Sequence, residues 1–288
     1  MPSTTAALAV AVLLVTTACS AREDPPVAQG ADRVPGASSL SATLTRYSSD
    51  VIPRRVQVQV RQGDGPAVRL TEVEVRLPGF DGTPRRELDT LSRPGGAVDL
   101  PVPLGAVRCP PPGEPAPEEG KPVAVRLAVG PDEWVDLEAA DPTGLLARLH
   151  SSECAVEAVL ARVDLAWGET WTPRATDAGL VTDGTLRVGP VAAGHAATVV
   201  GVEGTVLLTP TPSVSLPVQV GSGEVVDLPV TMAPARCDAH AVGEAKRGYS
   251  FRVLASVDGG AAAGVVLAPS PAARTLMESA LLEACGLR

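Results

Sequence analysis

Aromatic residues are nearly missing from this chain: Tyr47, Phe80, Trp134, Trp167, Trp171, Tyr249 and Phe251 are all that 288 residues contain. Surfaces that stack bases or sugar rings need clustered aromatic faces, and seven scattered rings cannot build a long one. Lysine is scarcer still, with Lys121 and Lys246 against 22 arginines. The 24 basic residues fall short of the 33 acidic ones, for a formal charge of -9. General nucleic-acid binding rests on the opposite sign, so that class is excluded. There is no G-x-S-x-G elbow, no S-x-x-K and no Gly-rich phosphate loop followed by Lys. The absence of any C-x-x-C argues against redox catalysis and structural zinc. Hydrophobic residues are nevertheless 45% of the chain and charged ones 20%. That balance builds real cores, and the length suits about two domains.

The N-terminal apolar run, Ala6 to Val15, is free of charge. At about ten residues it is roughly half of a bilayer-spanning helix. Small residues end it, as in an export signal, and Cys19 follows Ala18 before a polar stretch begins. In these residues the chain resembles bacterial lipoproteins, whose signal closes on small and aliphatic residues before an invariant Cys. The resemblance implies that the Cys19 thiol is diacylated and becomes the N-terminus of the mature protein. Two features depart from the family pattern. Thr16 stands where Leu, Val or Ile is usual, and no Lys or Arg precedes the apolar run. Plain secretion is the competing reading. Residues 20–39, rich in Pro, Gly, Ser and charge without apolar periodicity, read as a tether.

With Cys19 assigned to lipid, Cys109, Cys154, Cys237 and Cys285 remain, and four cysteines permit three pairings. An internal repeat selects one. Val98 to Cys109 and Val226 to Cys237 are identical at seven of twelve positions, at a constant offset of 128. The offset persists to Val129 and Val257. Each copy then reaches its second Cys through a helix signal, Asp141-Pro142 before Leu145, Leu146 and Leu149, and Ser270-Pro271 before Leu276, Met277, Ala280, Leu281 and Ala284. One cysteine after the Leu-Pro-Val strand and one at the helix end favour Cys109–Cys154 and Cys237–Cys285.

Between turn signals the chain alternates apolar and polar residues in the manner of strands. Copy one offers Leu40 to Tyr47, Val56 to Val60, Val68 to Leu77, Val98 to Leu104, Val123 to Val129 and Trp134 to Leu137. Copy two offers Val159 to Ala166, Leu186 to Val188, Val199 to Leu208, Val225 to Met232, Phe251 to Val257 and Val265 to Leu267. The expected fold is all-β: two tandem antiparallel β-sandwich domains, immunoglobulin-like, each with one short helix and one disulfide. The organisation is signal peptide 1–18, tether 19–39, repeat one 40–155 and repeat two 156–288. Trp167 and Trp171 are expected near the seam.

His150, on the helix before Cys154, and His195, in a loop with no carboxylate close in sequence, read as structural. His240 is more suggestive. Asp238, His240, Glu244, Lys246 and Arg247 form a polar loop after Cys237, where copy one carries a proline-rich loop. A disulfide-held loop on a rigid sheet is a favoured place for function, although salt bridges explain the same residues. Arg54-Arg55 and Arg85-Arg86 read as surface charge, with anionic headgroups or wall polymers as the other reading. No metal or other cofactor is expected. The functional expectation is an exported, lipid-anchored, noncatalytic binding or structural module facing an envelope protein or wall polymer. The alternative is an extracytoplasmic enzyme or solute-binding protein with its site at the seam.

Overall fold

The computed structural model describes residues 34–111, 114, 121–177, 179–245 and 248–287. The expected signal peptide, Cys19, the expected tether as far as residue 33, Lys246 and Arg247 lie outside the described residues. Among the described residues the fold is all-β with three α-helices and two short 3-10 helices, and none of these is long and apolar enough to cross a membrane.

The first half places β1 (Leu40–Thr45), β2 (Arg55–Gln62), β3 (Val68–Arg76), β4 (Arg86–Ser92), β5 (Ala97–Pro103), β6 (Val123–Ala128) and β7 (Trp134–Ala140) in one sheet. Its order is β4-β3-β6-β7-β1-β2-β5. Neighbours run antiparallel except β1 and β7, which are parallel with Ala42 opposite Ala139. The sheet bends back on itself until its edges approach, and Arg86 Nη1 of β4 donates to the Pro101 carbonyl of β5 at 2.5 Å. Strand alternation explains the core. Val56, Val58 and Val60 point inward at 0% exposure, each burial contributing about 2 kcal/mol.

The second half continues with β8 (Val163–Trp167), β9 (Thr172–Thr176), β10 (Gly179–Val191), β11 (Ala197–Glu203), β12 (Leu208–Pro212), β13 (Val218–Val220) and β14 (Val226–Pro234). It ends with α2 (Ala239–Glu244), β15 (Phe251–Val257), β16 (Ala263–Leu267) and α3 (Pro271–Ala284). One sheet runs β12-β14-β10-β8 with β9 also on β10, and the other β13-β11-β15-β16. Their inner faces share a core that includes Trp167, Leu186, Val230, Val199 and Phe251. The same strand pairings recur in the two halves. Strands β2 and β5 pair as β10 and β14 do, β3 and β6 as β11 and β15, and β6 and β7 as β15 and β16.

The two halves share no strand among the described residues, yet Val34 onward packs as one compact unit. The joint is α1 (Leu145–Leu160). Its first turns contribute Leu145, Leu146, Leu149 and Cys154 to the first core, while Ala155, Val156 and Val159 join the second. The helix therefore runs through the expected boundary at 155 and over the expected start of a strand at Val159. The apolar pair Val156 and Val159 sits at helical spacing, and no breaker intervenes before Ala161. Its start is displaced too. Gly144 is the N-cap in the left-handed region at φ 62, and Asp141 caps from further back, accepting from Leu145 N–H at 2.7 Å and Leu146 N–H at 2.8 Å. In α3 the expected start holds: Ser270 Oγ accepts from Ala273 N–H and Pro271 opens the helix. Leu276, expected on its buried face, is exposed, while Ala273, Met277, Ala280 and Leu281 face inward.

Cys109 is bonded to Cys154 and Cys237 to Cys285, with Cα separations of 5.5 and 5.0 Å. Two such bridges fit an oxidising, extracytoplasmic compartment. Three strands escaped the periodic reading. Strand β9 has no apolar alternation and exists as the hairpin partner of β10. Strand β4 exposes Leu91, and β13 is three residues long. The single strand expected over Val199 to Leu208 is two, because Thr205 Oγ1 accepts from Leu207 N–H and Leu208 N–H and turns the chain into the other sheet.

Candidate functional site

One face of α1 carries Glu153, Val156, Glu157 and Leu160, the i, i+3, i+4, i+7 spacing of a single helical stripe. That stripe floors a cleft of about 1170 Å³ between the two halves.

The first-half wall is a turn. Ser48–Asp50 form a 3-10 helix, after which Val51, Ile52 and Arg54 reach the cleft. The turn is pinned by Asp50, which is 0% exposed. Its carboxylate accepts from Tyr47 N–H at 2.9 Å, Arg55 Nε at 2.6 Å and Gln57 Nε2 at 2.8 Å. Burial pushes the Asp50 pKa up, but the Arg55 guanidinium and the Tyr47 and Gln57 donors outweigh it, leaving it below the ordinary 3.8. The alternation in β2 predicts Gln57 on an outer face, and its bond to Asp50 buries it instead. Arg54 adopts φ 46, a left-handed conformation uncommon for a side chain of this size. It aims its guanidinium at Glu153 Oε2, 2.8 Å away.

The second-half wall comes from the β11–β12 turn, from β15 and β16, and from the end of α2. Arg252 lies over Gly264, where a Cβ would stand 1.8 Å from Arg252 Nε, and reaches Glu203 at 3.3 Å. Ile52, Leu160, Val206 and Val266, from four separate elements, line the space and are 42–45% exposed. Glu157 and Glu244 also line it and make no ion pair among the described residues.

The sequence-derived residues distribute unevenly around this cleft. Asp238 is the N-cap of α2, accepting from Ala241 N–H at 2.7 Å and pairing with Arg236 at 2.8 Å. Those contacts, the Ala241 N–H first, hold its carboxyl below the usual range. The expected polar loop is thus a short helix, because Asp238 satisfies its first turn. His240 is exposed on α2, and of the group's described members only Glu244 reaches the cleft. Among the described residues no group of His, Cys, Asp and Glu could hold a metal ion.

His150, one turn before Glu153 on α1, is buried against Phe80, with Nε2 3.0 Å from the Arg108 carbonyl and 3.8 Å from Cys154 Sγ. His195 Nδ1 meets Asp258 Oδ2 at 2.7 Å, a partner 63 residues away that sequence proximity could not reveal. That contact, joined by the Ala196 N–H, lowers the Asp258 pKa. Ser222, on the adjacent turn, accepts from Gly194 N–H at 3.0 Å. These contacts clasp three exposed turns together. Trp167 and Trp171, expected at the seam, belong to the second core at 5% and 3% exposure, with their rings 5.9 Å apart. Trp167 is drawn inward because β8 alternates Val163, Leu165 and Trp167 toward the core, and Trp171 packs edge-on to it with its Nε1 donating to the Gly168 carbonyl at 2.7 Å. The cleft residues themselves, Ile52, Leu160, Val206 and Val266, carried no sequence signal. Isolated aliphatics in turns and at strand edges look the same whether covered or exposed.

No protein-family model matches this sequence, and no curated protein matches it. Among solved structures the chain is similar to a protein of unknown function from Porphyromonas gingivalis W83, at 14% identity over 80% of this chain and 98% of that one, TM-score 0.22. Red sea bream transglutaminase aligns at 10% identity over 80% of this chain and 31% of that one, TM-score 0.24. The calcium-binding domain CBD12 of CALX1.1 aligns at 12% identity over 80% and 87%, TM-score 0.20. Superpositions this loose carry no argument about activity.

Proposed function

We propose that the chain is an exported, noncatalytic binding module of the bacterial cell envelope, anchored by lipid on Cys19. It is built from two tandem immunoglobulin-like sandwich repeats, 40–155 and 156–288. The repeated strand pairings support the tandem reading, as do the separate cores and a disulfide at equivalent places in each half. The observation that carries the binding role is the composition of the cleft. Its described walls hold exposed aliphatics from both halves beside carboxylate–guanidinium pairs, the make-up of a docking surface. A solute-binding protein with its site at the seam is the second reading, favoured by the position of the same cleft.

Two measurements test the proposal. Cys19→Ala releases the protein from membranes into the aqueous fraction, and retention on membranes counts against lipidation. A photocrosslinking residue at Val206, installed in the anchored protein in its own cells, captures an envelope component. Enzymatic turnover that depends on cleft residues overturns the noncatalytic role.

A further inference from the structure

We infer that the cleft over α1 docks an extended polypeptide segment of a partner protein, apolar on one face and basic on the other; the inference rests on the binding-module reading above. Three observations converge. The cleft, about 1170 Å³ and open to solvent, exceeds the range of about 300–1,000 Å³ typical of small-molecule pockets. Ile52, Leu160, Val206 and Val266 are exposed by 42–45% and converge on it from both halves. Scattered exposed aliphatics are ordinary, whereas several facing one concavity mark an interaction site.

Charge selects the occupant. Four carboxylates, Glu153, Glu157, Glu203 and Glu244, line the cleft against three guanidinium groups, Arg46, Arg54 and Arg252; Arg54 pairs with Glu153 and Arg252 with Glu203, while Glu157 and Glu244 make no ion pair among the described residues. A second copy of this chain, at a formal charge of -9, is a poor match for such a surface. A segment with Lys or Arg beside its apolar side chains places its cations at Glu157 and Glu244 and its aliphatics on Leu160 and Val266. The halves are joined through α1, so the two walls are held at a fixed spacing before binding, which lowers the ordering cost of association.

The test uses the full chain with both bridges oxidised and three fluorescein-labelled nine-residue peptides, alternating Val with Lys, Ser or Glu. Anisotropy titrations show the Val/Lys peptide binding most tightly and weakening with salt. Leu160→Asp and Val266→Asp each reduce its affinity at least tenfold. Because both positions are exposed, unchanged melting of these variants separates lost binding from lost folding. Glu157→Gln and Glu244→Gln each cost about two- to fivefold for the Val/Lys peptide and nothing for the Val/Ser peptide. Equal binding of all three peptides overturns the inference, as does indifference to both Asp variants or dimerisation abolished by Val266→Asp. In cells, capture of a glycan or lipid at Val206 overturns the polypeptide occupant while the binding-module reading stands. No capture of anything by a folded, anchored protein overturns both.

Discussion

Removing the Cys109–Cys154 bridge separates the roles of the two ends of α1. The bridge closes 45 residues, and the chain-entropy account gives about 4 kcal/mol for a loop of that size at 25 °C. Cys154 belongs to the first core, whereas Val156 and Val159, within two turns of it, belong to the second. Cys109→Ala with Cys154→Ala therefore loosens the first half's hold on the helix, which then rests on Leu145, Leu146 and Leu149, while the second half keeps its grip. On the scale for a chain of this size, 4 kcal/mol corresponds to a fall in Tm of about 8–16 °C. The tryptophans report the halves separately. Trp134 stands in β7 between the guanidinium groups of Arg85 and Arg126, at 4.5 and 4.9 Å, and Trp167 and Trp171 lie in the second core. Denaturant titrations followed by fluorescence, with Trp134→Phe and Trp167→Phe variants to assign the signals, show the Trp134 transition moving to lower denaturant. The Trp167 transition moves less. A loss below about 1 kcal/mol, or equal movement of both signals, refutes the reasoning.

Asp50→Asn destabilises the protein by about 1–3 kcal/mol at pH 7, measured by urea unfolding, because a buried carboxylate bonded to Arg55 and Gln57 is lost. The folded-state pKa of Asp50 is depressed, so its contribution is full above the ordinary carboxylate value of about 4 and disappears as pH falls through the folded value. Acid unfolding curves of the variant are correspondingly flatter below pH 4. Gly79→Ala costs about 2–4 kcal/mol in the same assay, since Gly79 has φ 81 and a Cβ there meets His150 Cδ2 at 2.4 Å within the first core. Gly264→Ala, although its Cβ falls on Arg252, costs less than about 1 kcal/mol. The guanidinium swings away from a half-exposed partner, and the readout is an unchanged Tm with altered peptide binding at the cleft.

The strands that could be read in the sequence were those buried on one side. Val56, Val58 and Val60, or Thr71 to Val75, alternate because one face must leave water, and that demand is written locally. Strands β9 and β13 were invisible because their reason to exist is a partner elsewhere, β10 in one case and β11 in the other. The polar loop after Cys237 looked functional for its residue types, yet Asp238 is occupied in capping α2. His195 looked isolated because its carboxylate lies 63 positions away.

Composition, the repeat and the cysteine spacing by themselves determined an all-β chain with two stapled halves, since period-two burial and loop closure act through sequence separation alone. Tertiary structure decided that α1 joins both cores, that a buried Asp50 pins a turn, and that four aliphatics from distant segments meet in one cleft. Those outcomes depend on which surfaces come face to face, and proximity of that kind has no local spelling.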